Sequence, residues 1–162
     1  MSEQNPARRK AIAWAVAAAI GIAIPMEGTV LKAYLDPVGL PTICMGSTKG
    51  VKMGDLRTLP ECKALLTKEM TDVVIAVERC RPGLPPEVLA AMSDFAYNVG
   101  ARAVCDPSFS TPARKLAAGD IAGACEALLP WNKARVAGVL VPLPGLTRRR
   151  HMEMELCLRG VA

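Results

Sequence analysis

Sixteen residues without a charge, AIAWAVAAAIGIAIPM, separate Lys10 from Glu27. A run like this must be buried in protein or in lipid, and its composition makes both possible. At ~1.5 Å rise per residue it forms a helix of about 24 Å, short of a ~30 Å hydrocarbon core. Seven of the residues are Ala; only the four Ile and Val16 favour lipid strongly, by about 0.3 to 0.6 kcal/mol each at the helix centre. Arg8, Arg9 and Lys10 precede the run and would hold that end in the cytoplasm by the positive-inside rule. Three fates are open: a cleaved signal peptide, a buried N-terminal helix, or an uncleaved anchor weak enough to leave the bilayer. Cleavage fits poorly. The small residues Ala17, Ala18, Ala19 and Ala23 lie so close to Glu27 that little chain would remain before it. The weak anchor is the expectation, with residues 1–26 as membrane segment and 27–162 as folded domain.

The remaining length suits one domain with a sizeable core. Aromatic residues make up only 4% of the chain, so that core must be aliphatic, built on Ala, Leu, Val, Ile and Met. The net charge of +5 suits an anionic polymer as partner. A nucleic-acid reading needs a basic helix or an aromatic stacking platform. Arg148-Arg149-Arg150 is too short a run for the first, and six aromatic residues are too few for the second.

Glu27 opens a pattern with chemistry in it. Asp36 stands nine residues on and Thr42 six further, astride a turn marked by Pro37, Gly39 and Pro41. Glycoside hydrolysis needs one protonated carboxyl for the leaving oxygen and one ionised carboxylate to direct water or stabilise the cation. The two must differ in environment to hold different protonation states. Glu27 ends an apolar helix, whereas Asp36 adjoins a turn near solvent. Taken alone, two acids at this spacing are more often solvated surface groups.

Alternation of Ala33, Leu35, Ile43 and Met45 predicts a small antiparallel sheet over 33–49. Thr58, Pro60 and Glu61 open a helix whose apolar period runs to Cys80, where Arg81-Pro82-Gly83 stops it. Pro86 opens the next, with Leu89, Met92, Phe95 and Ala96 as its core face and Gly100 as its end. A short helix is expected over 111–118. Asp120 caps another, carrying Ile121, Ala124, Cys125 and Leu128 and ending at Trp131, which should cover that helix end in the core. Residues 136–144 look strand-like, but Gly138, Pro142 and Pro144 argue for a loop. A last helix spans about 146–158, with His151 structural or exposed. The fold class is α+β, mainly helical: a small sheet, a helical lobe, and a cleft between them for an extended substrate.

Six cysteines, none in a C-x-x-C pair, stand beside a single histidine, which argues against a zinc site; no metal or cofactor is expected. Behind an export-like segment they read as disulfides, with buried thiols of a cytosolic core as the alternative. The expected pairs are Cys44–Cys62, pinning sheet to lobe, Cys125–Cys157, between helices that should pack together, and Cys80–Cys105 by remainder.

The segment EGTVLKAYLDPVGLPTICMGSTKG resembles the phage-type lysozymes, the muramidase family that includes the T4 enzyme. The similarity continues through FAYNVGARAVC, ALLPWNKA and GLTRRRHMEMELCLRG. The N-terminal run resembles the signal-anchor-release segments of a subset of these endolysins. The resemblance implies a lysozyme-like fold in which Glu27 is the general acid, Asp36 the second carboxylate and Thr42 a holder of the attacking water. It also implies that Arg149 reaches back to Glu27. The reaction implied is inverting hydrolysis of the β-1,4 bond between N-acetylmuramic acid and N-acetylglucosamine, which leaves room for a water between carboxyls roughly 6.5–9.5 Å apart. A monomer acting on peptidoglycan would be the consequence, exported by host machinery, tethered inactive in the inner membrane and active once released to the periplasm. Where many relatives have Gly-His-Thr, this chain has Gly46-Ser47-Thr48. The alternative is a membrane-attached module that binds glycan without cutting it.

Overall fold

The computed structural model describes residues 5–37 and 39–162. The first four residues of the expected membrane segment, and Val38 in the turn after Asp36, lie outside the described residues.

Helix α1 (Pro6–Glu27) takes up the whole apolar run and adds the basic turn before it. Asn5 caps it, its side chain accepting from the Ala7 amide at 3.0 Å, and Pro6 opens the first turn. Gly28, at φ 67°, ends it directly after Glu27. Ala15, Ala19 and Ala23 are fully buried, one per turn on one face. The absence of larger side chains there lets α1 lie close against the central helix α3 (Pro86–Val99). That helix is buried all round from Val88 to Ala96. Its other neighbours are α2 (Leu59–Cys80) and α7 (Pro144–Arg159), so one aliphatic core runs through all four helices.

Arg8 fastens the start of α1 to the far end of α2. Its Nε donates to Glu78 at 2.7 Å, its Nη2 donates to the same carboxylate, and its Nη1 donates to the Leu84 carbonyl at 2.8 Å. Thr58 and Glu61 cap the start of α2 reciprocally.

Strands β1 (Val30–Leu35) and β2 (Pro41–Cys44) form an antiparallel hairpin with a register irregularity between Val30 and Tyr34. Pairing begins three residues earlier than expected; the β1–β2 ladder ends at Cys44, and an isolated antiparallel bridge joins Ile43 to Ser47. Beyond α3, the small helices α4 (Arg102–Cys105), α5 (Thr111–Ala117) and α6 (Ile121–Glu126) complete the helical lobe. Asp120 caps α6 through the Gly123 amide at 2.9 Å. Trp131 lies past the end of α6, edge-on to Phe95 with ring centroids 5.4 Å apart. His151 is exposed, its Nδ1 2.8 Å from the Thr147 carbonyl.

Three disulfides staple this frame: Cys44–Cys62 from β2 to α2, Cys80–Cys105 from α2 to α4, and Cys125–Cys157 from α6 to α7. They close loops of 18, 25 and 32 residues, each contributing about 3–4 kcal/mol by restricting the unfolded chain.

The loop expected at 136–144 is instead a second hairpin, β3 (Lys133–Val136) with β4 (Val139–Pro142). The breakers are compatible with it: Pro142 sits at a strand end, and Gly138 lies in the turn. Ala137 and Gly138 have φ of 50° and 81°, the pattern of a two-residue type I′ turn. A side chain at Ala137 is strained there. Ala137→Gly should therefore raise stability by about 0.5–1 kcal/mol, read as a higher urea midpoint at unchanged slope.

Candidate active site

Glu27 reaches the surface because α1 stops at it. Its side chain is 21% exposed and held on two sides. Oε1 accepts from Arg149 Nη1. Oε2 lies against Gly46, where a Cβ would stand 3.0 Å from it and press on the carboxylate; φ 89° is the stronger reason for glycine at position 46. A cavity of about 280 Å³ opens here between the end of α1, the turn after β2, and helices α2 and α3. Glu27, Gly46, Ser47, Lys49, Glu69, Tyr97 and Asn98 line it.

Asp36 and Thr42 lie on the β1–β2 hairpin and do not line that cavity. They meet on one residue. Asp36 Oδ1 accepts from the Leu40 amide at 2.9 Å, and the Thr42 hydroxyl donates to the Leu40 carbonyl at 3.0 Å. Backbone bonds from Asp36 to Leu40 and from Gly39 to Asp36 close the loop between them. Thr42 is 3% exposed, while Asp36 is half-buried. A hydroxyl whose proton is committed to a carbonyl still offers lone pairs to a water.

Under Glu27 lies a buried charge cluster. Arg149 Nε and Nη2 donate to the two oxygens of Asp94, both at 2.9 Å, so one guanidinium bridges Asp94 and Glu27. Arg150 donates to Asn98 Oδ1 at 2.7 Å and stands 5.0 Å over the Phe95 ring. Glu153 is 3.0 Å from Arg150 and 3.6 Å from Arg149. Burial alone would lower the Arg149 pKa, but bonds and charge from Asp94 and then Glu27 outweigh it and raise the value, so Arg149 stays a cation. Two cations thus face three acids in a site where Asp94 and Glu153 are fully buried. The imbalance falls on Glu153: burial first, then neighbouring Asp94, push its carboxyl well above the usual range, and both its oxygens lack a well-aligned donor.

The folded state therefore binds the Glu153 proton more tightly than the unfolded chain does. Its contribution to stability is present below the unfolded pKa and lost as pH rises toward the folded one. Glu153→Gln, a mimic of the protonated acid, should gain stability relative to wild type as pH rises from 4 to 8, measured by urea unfolding at each pH.

Asp94, Glu153 and Glu69 are not among the residues that sequence reasoning selects. Asp94 does carry a signal: it is the only charge between Val88 and Val99 on a largely apolar helix, and a buried acid needs a cation. Glu153 stands four residues after Arg149, within reach on one helix face. Glu69 gives none, lying among Lys68 and Asp72 on a charged stretch of α2.

The phage lysozyme family model matches residues 25–153, from the end of α1 through most of α7. This chain belongs to the phage lysozyme family. A SAR-endolysin of Pseudomonas phage phiKMV is 37% identical over 145 residues, covering 89% of this chain and 88% of that protein. Among solved structures, an endolysin from the Escherichia coli O157:H7 phage FAHEc1 has a TM-score of 0.73 at 32% identity, with 90% of each chain covered. The muramidase domain of SpmX from Asticaccaulis excentricus has a TM-score of 0.77 at 27% identity, covering 87% of this chain and 95% of that one. This family member is a lysozyme, a glycoside hydrolase, and its substrate is peptidoglycan. Its α1 is long and apolar enough to cross a membrane by length and composition, as a signal anchor must be.

Proposed function

We propose that this lysozyme cleaves the β-1,4 bond between N-acetylmuramic acid and N-acetylglucosamine with Glu27 as general acid, Asp36 as the ionised carboxylate and Thr42 as a holder of the attacking water. The observation that carries the reading is the setting of Glu27: an acid at a helix end, open to a polar cavity and clamped by Arg149 below. A fixed acid can deliver its proton to a leaving oxygen along one direction. Asp36 and Thr42, gathered on the Leu40 loop, belong to the opposite wall in this reading, where water would be directed at the sugar in an inverting step. Arg149 orients Glu27 rather than touching substrate. The protein acts as a monomer, exported with α1 in the host inner membrane, inactive there, and active in the periplasm after release.

The reading is tested with purified sacculi. New reducing ends released by the full chain are the expected result; a protein that sediments with sacculi and releases none is a binding module.

A further inference from the structure

Across the cavity from Glu27, Glu69 Oε2 accepts two hydrogen bonds, from the Ser47 hydroxyl at 2.8 Å and from the Tyr97 phenol at 3.0 Å. Each partner comes from a different element, Ser47 from the turn after β2 and Tyr97 from α3. Ser47 is 3% exposed, and Glu69 is half-buried at the cavity wall. Burial first, and then the charge of Glu69, raise the Tyr97 pKa, which keeps the phenol a donor. Tyr97 also lies 3.4 Å from the Met45 carbonyl, in the same turn.

The turn thus fastened is tight. Ile43 and Ser47 exchange both backbone bonds, at 2.9 and 3.0 Å. Between them Cys44 takes φ 62° and Gly46 φ 89°, and the first is strained for a residue with a side chain. The Cys44–Cys62 disulfide ties one end of the turn to α2. Ser47 to Glu69 ties the other end to the same helix. Between the two ties stands Gly46, the residue against Glu27 Oε2.

Resting on the assignment of Glu27 as the acid, we propose that Glu69 is a positioning residue: through Ser47 and Tyr97 it holds the Gly46 turn against the Glu27 carboxyl, and so sets the direction in which that acid faces the scissile oxygen. Glu69 needs no proton transfer of its own for this. It needs an acceptor at Oε2. A misdirected acid weakens the transition state and leaves ground-state binding of the glycan alone, so the loss belongs in kcat.

The test is steady-state kinetics on solubilised peptidoglycan strands, with thermal unfolding of each variant. Glu69→Ala should lower kcat about tenfold or more while KM stays within about twofold, since a small misplacement of a catalytic group costs this much. Glu69→Gln, whose amide oxygen can accept the same two bonds, should recover to within about threefold of wild type. Ser47→Ala should lower kcat in the same direction, and Ser47→Ala with Glu69→Ala should cost no more than Glu69→Ala alone. Glu69→Ala added to Glu27→Gln should cost nothing further. Wild-type kcat in Glu69→Ala overturns the proposal. So does a loss confined to KM, which marks a sugar-binding group, or a Glu69→Gln as impaired as Glu69→Ala, which marks a need for the charge. If Glu69→Ala does not fold, Ser47→Ala, which removes one oxygen, decides by the same kcat criterion. An active Glu27→Gln would instead refute the acid assignment, whatever the Glu69 series gives.

Discussion

Glu27→Gln lowers the release of reducing ends from sacculi by on the order of 10²- to 10⁴-fold, the expected contribution of a positioned general acid. The substitution is conservative for the fold. A glutamine oxygen can still accept from Arg149 Nη1, so the buried pair of Arg149 with Asp94 keeps its partners. What is lost is the transferable proton. Unfolding temperature should move little, and sedimentation with sacculi should persist, because glycan binding does not depend on that proton. Near-wild-type turnover in this variant would remove Glu27 from the mechanism. Thr42→Ala should cost less, since the role proposed for the hydroxyl is one water contact, although its bond to the Leu40 carbonyl also disappears.

The contrast between Glu27 and the cluster beneath it marks where sequence is legible and where it stops being so. Glu27 ends α1, and Asp36 and Thr42 flank one turn six residues apart, so local order alone places each of them. The four main helices are equally plain, because caps such as Thr58 with Glu61 and breakers such as Arg81-Pro82-Gly83 act over a few residues. The hairpin at 133–142 is not. A type I′ turn is usually announced by Asn-Gly or Asp-Gly, and Ala137-Gly138 hides it behind a strained alanine. Glu69 is invisible for another reason. Its role arises only when the turn at 43–47, α2 and α3 converge, at separations of 22 and 28 residues. Ser47 stands in the sequence only as a departure from Gly-His-Thr; in the fold its shorter side chain makes a polar link to α2.

In the proposed life cycle helix α1 is an anchor that also serves as the first helix of the domain, and its residues suit both uses. Ala15, Ala19 and Ala23 weaken insertion into lipid, and the same small side chains permit close contact with α3. Arg8 can hold the cytoplasmic end of an anchor, and in the folded domain it is clamped to Glu78. The two uses can be separated by substituting only the face that the domain leaves open. Ala13, Ala17 and Gly21 are exposed, and nothing lies within 4 Å of a Cβ at Gly21. Replacing all three with Leu adds about 1–2 kcal/mol of insertion free energy without touching the core, on a scale of about 0.3–0.6 kcal/mol per Leu. The balance between membrane and periplasm should shift roughly 5- to 30-fold toward the membrane, and lysis should be delayed. Fractionation of expressing cells, timed against lysis, reads both effects. Ala19→Leu serves as the contrast: it adds apolar bulk too, but Ala19 is fully buried in the core, so the larger side chain overpacks it and any released protein should be poorly active. If the exposed-face variant is recovered as soluble periplasmic protein and lyses cells on schedule, release does not depend on a weak anchor. If wild-type periplasmic protein begins near Ile24 or later, the run is a cleaved signal, and Glu27 must be held without α1.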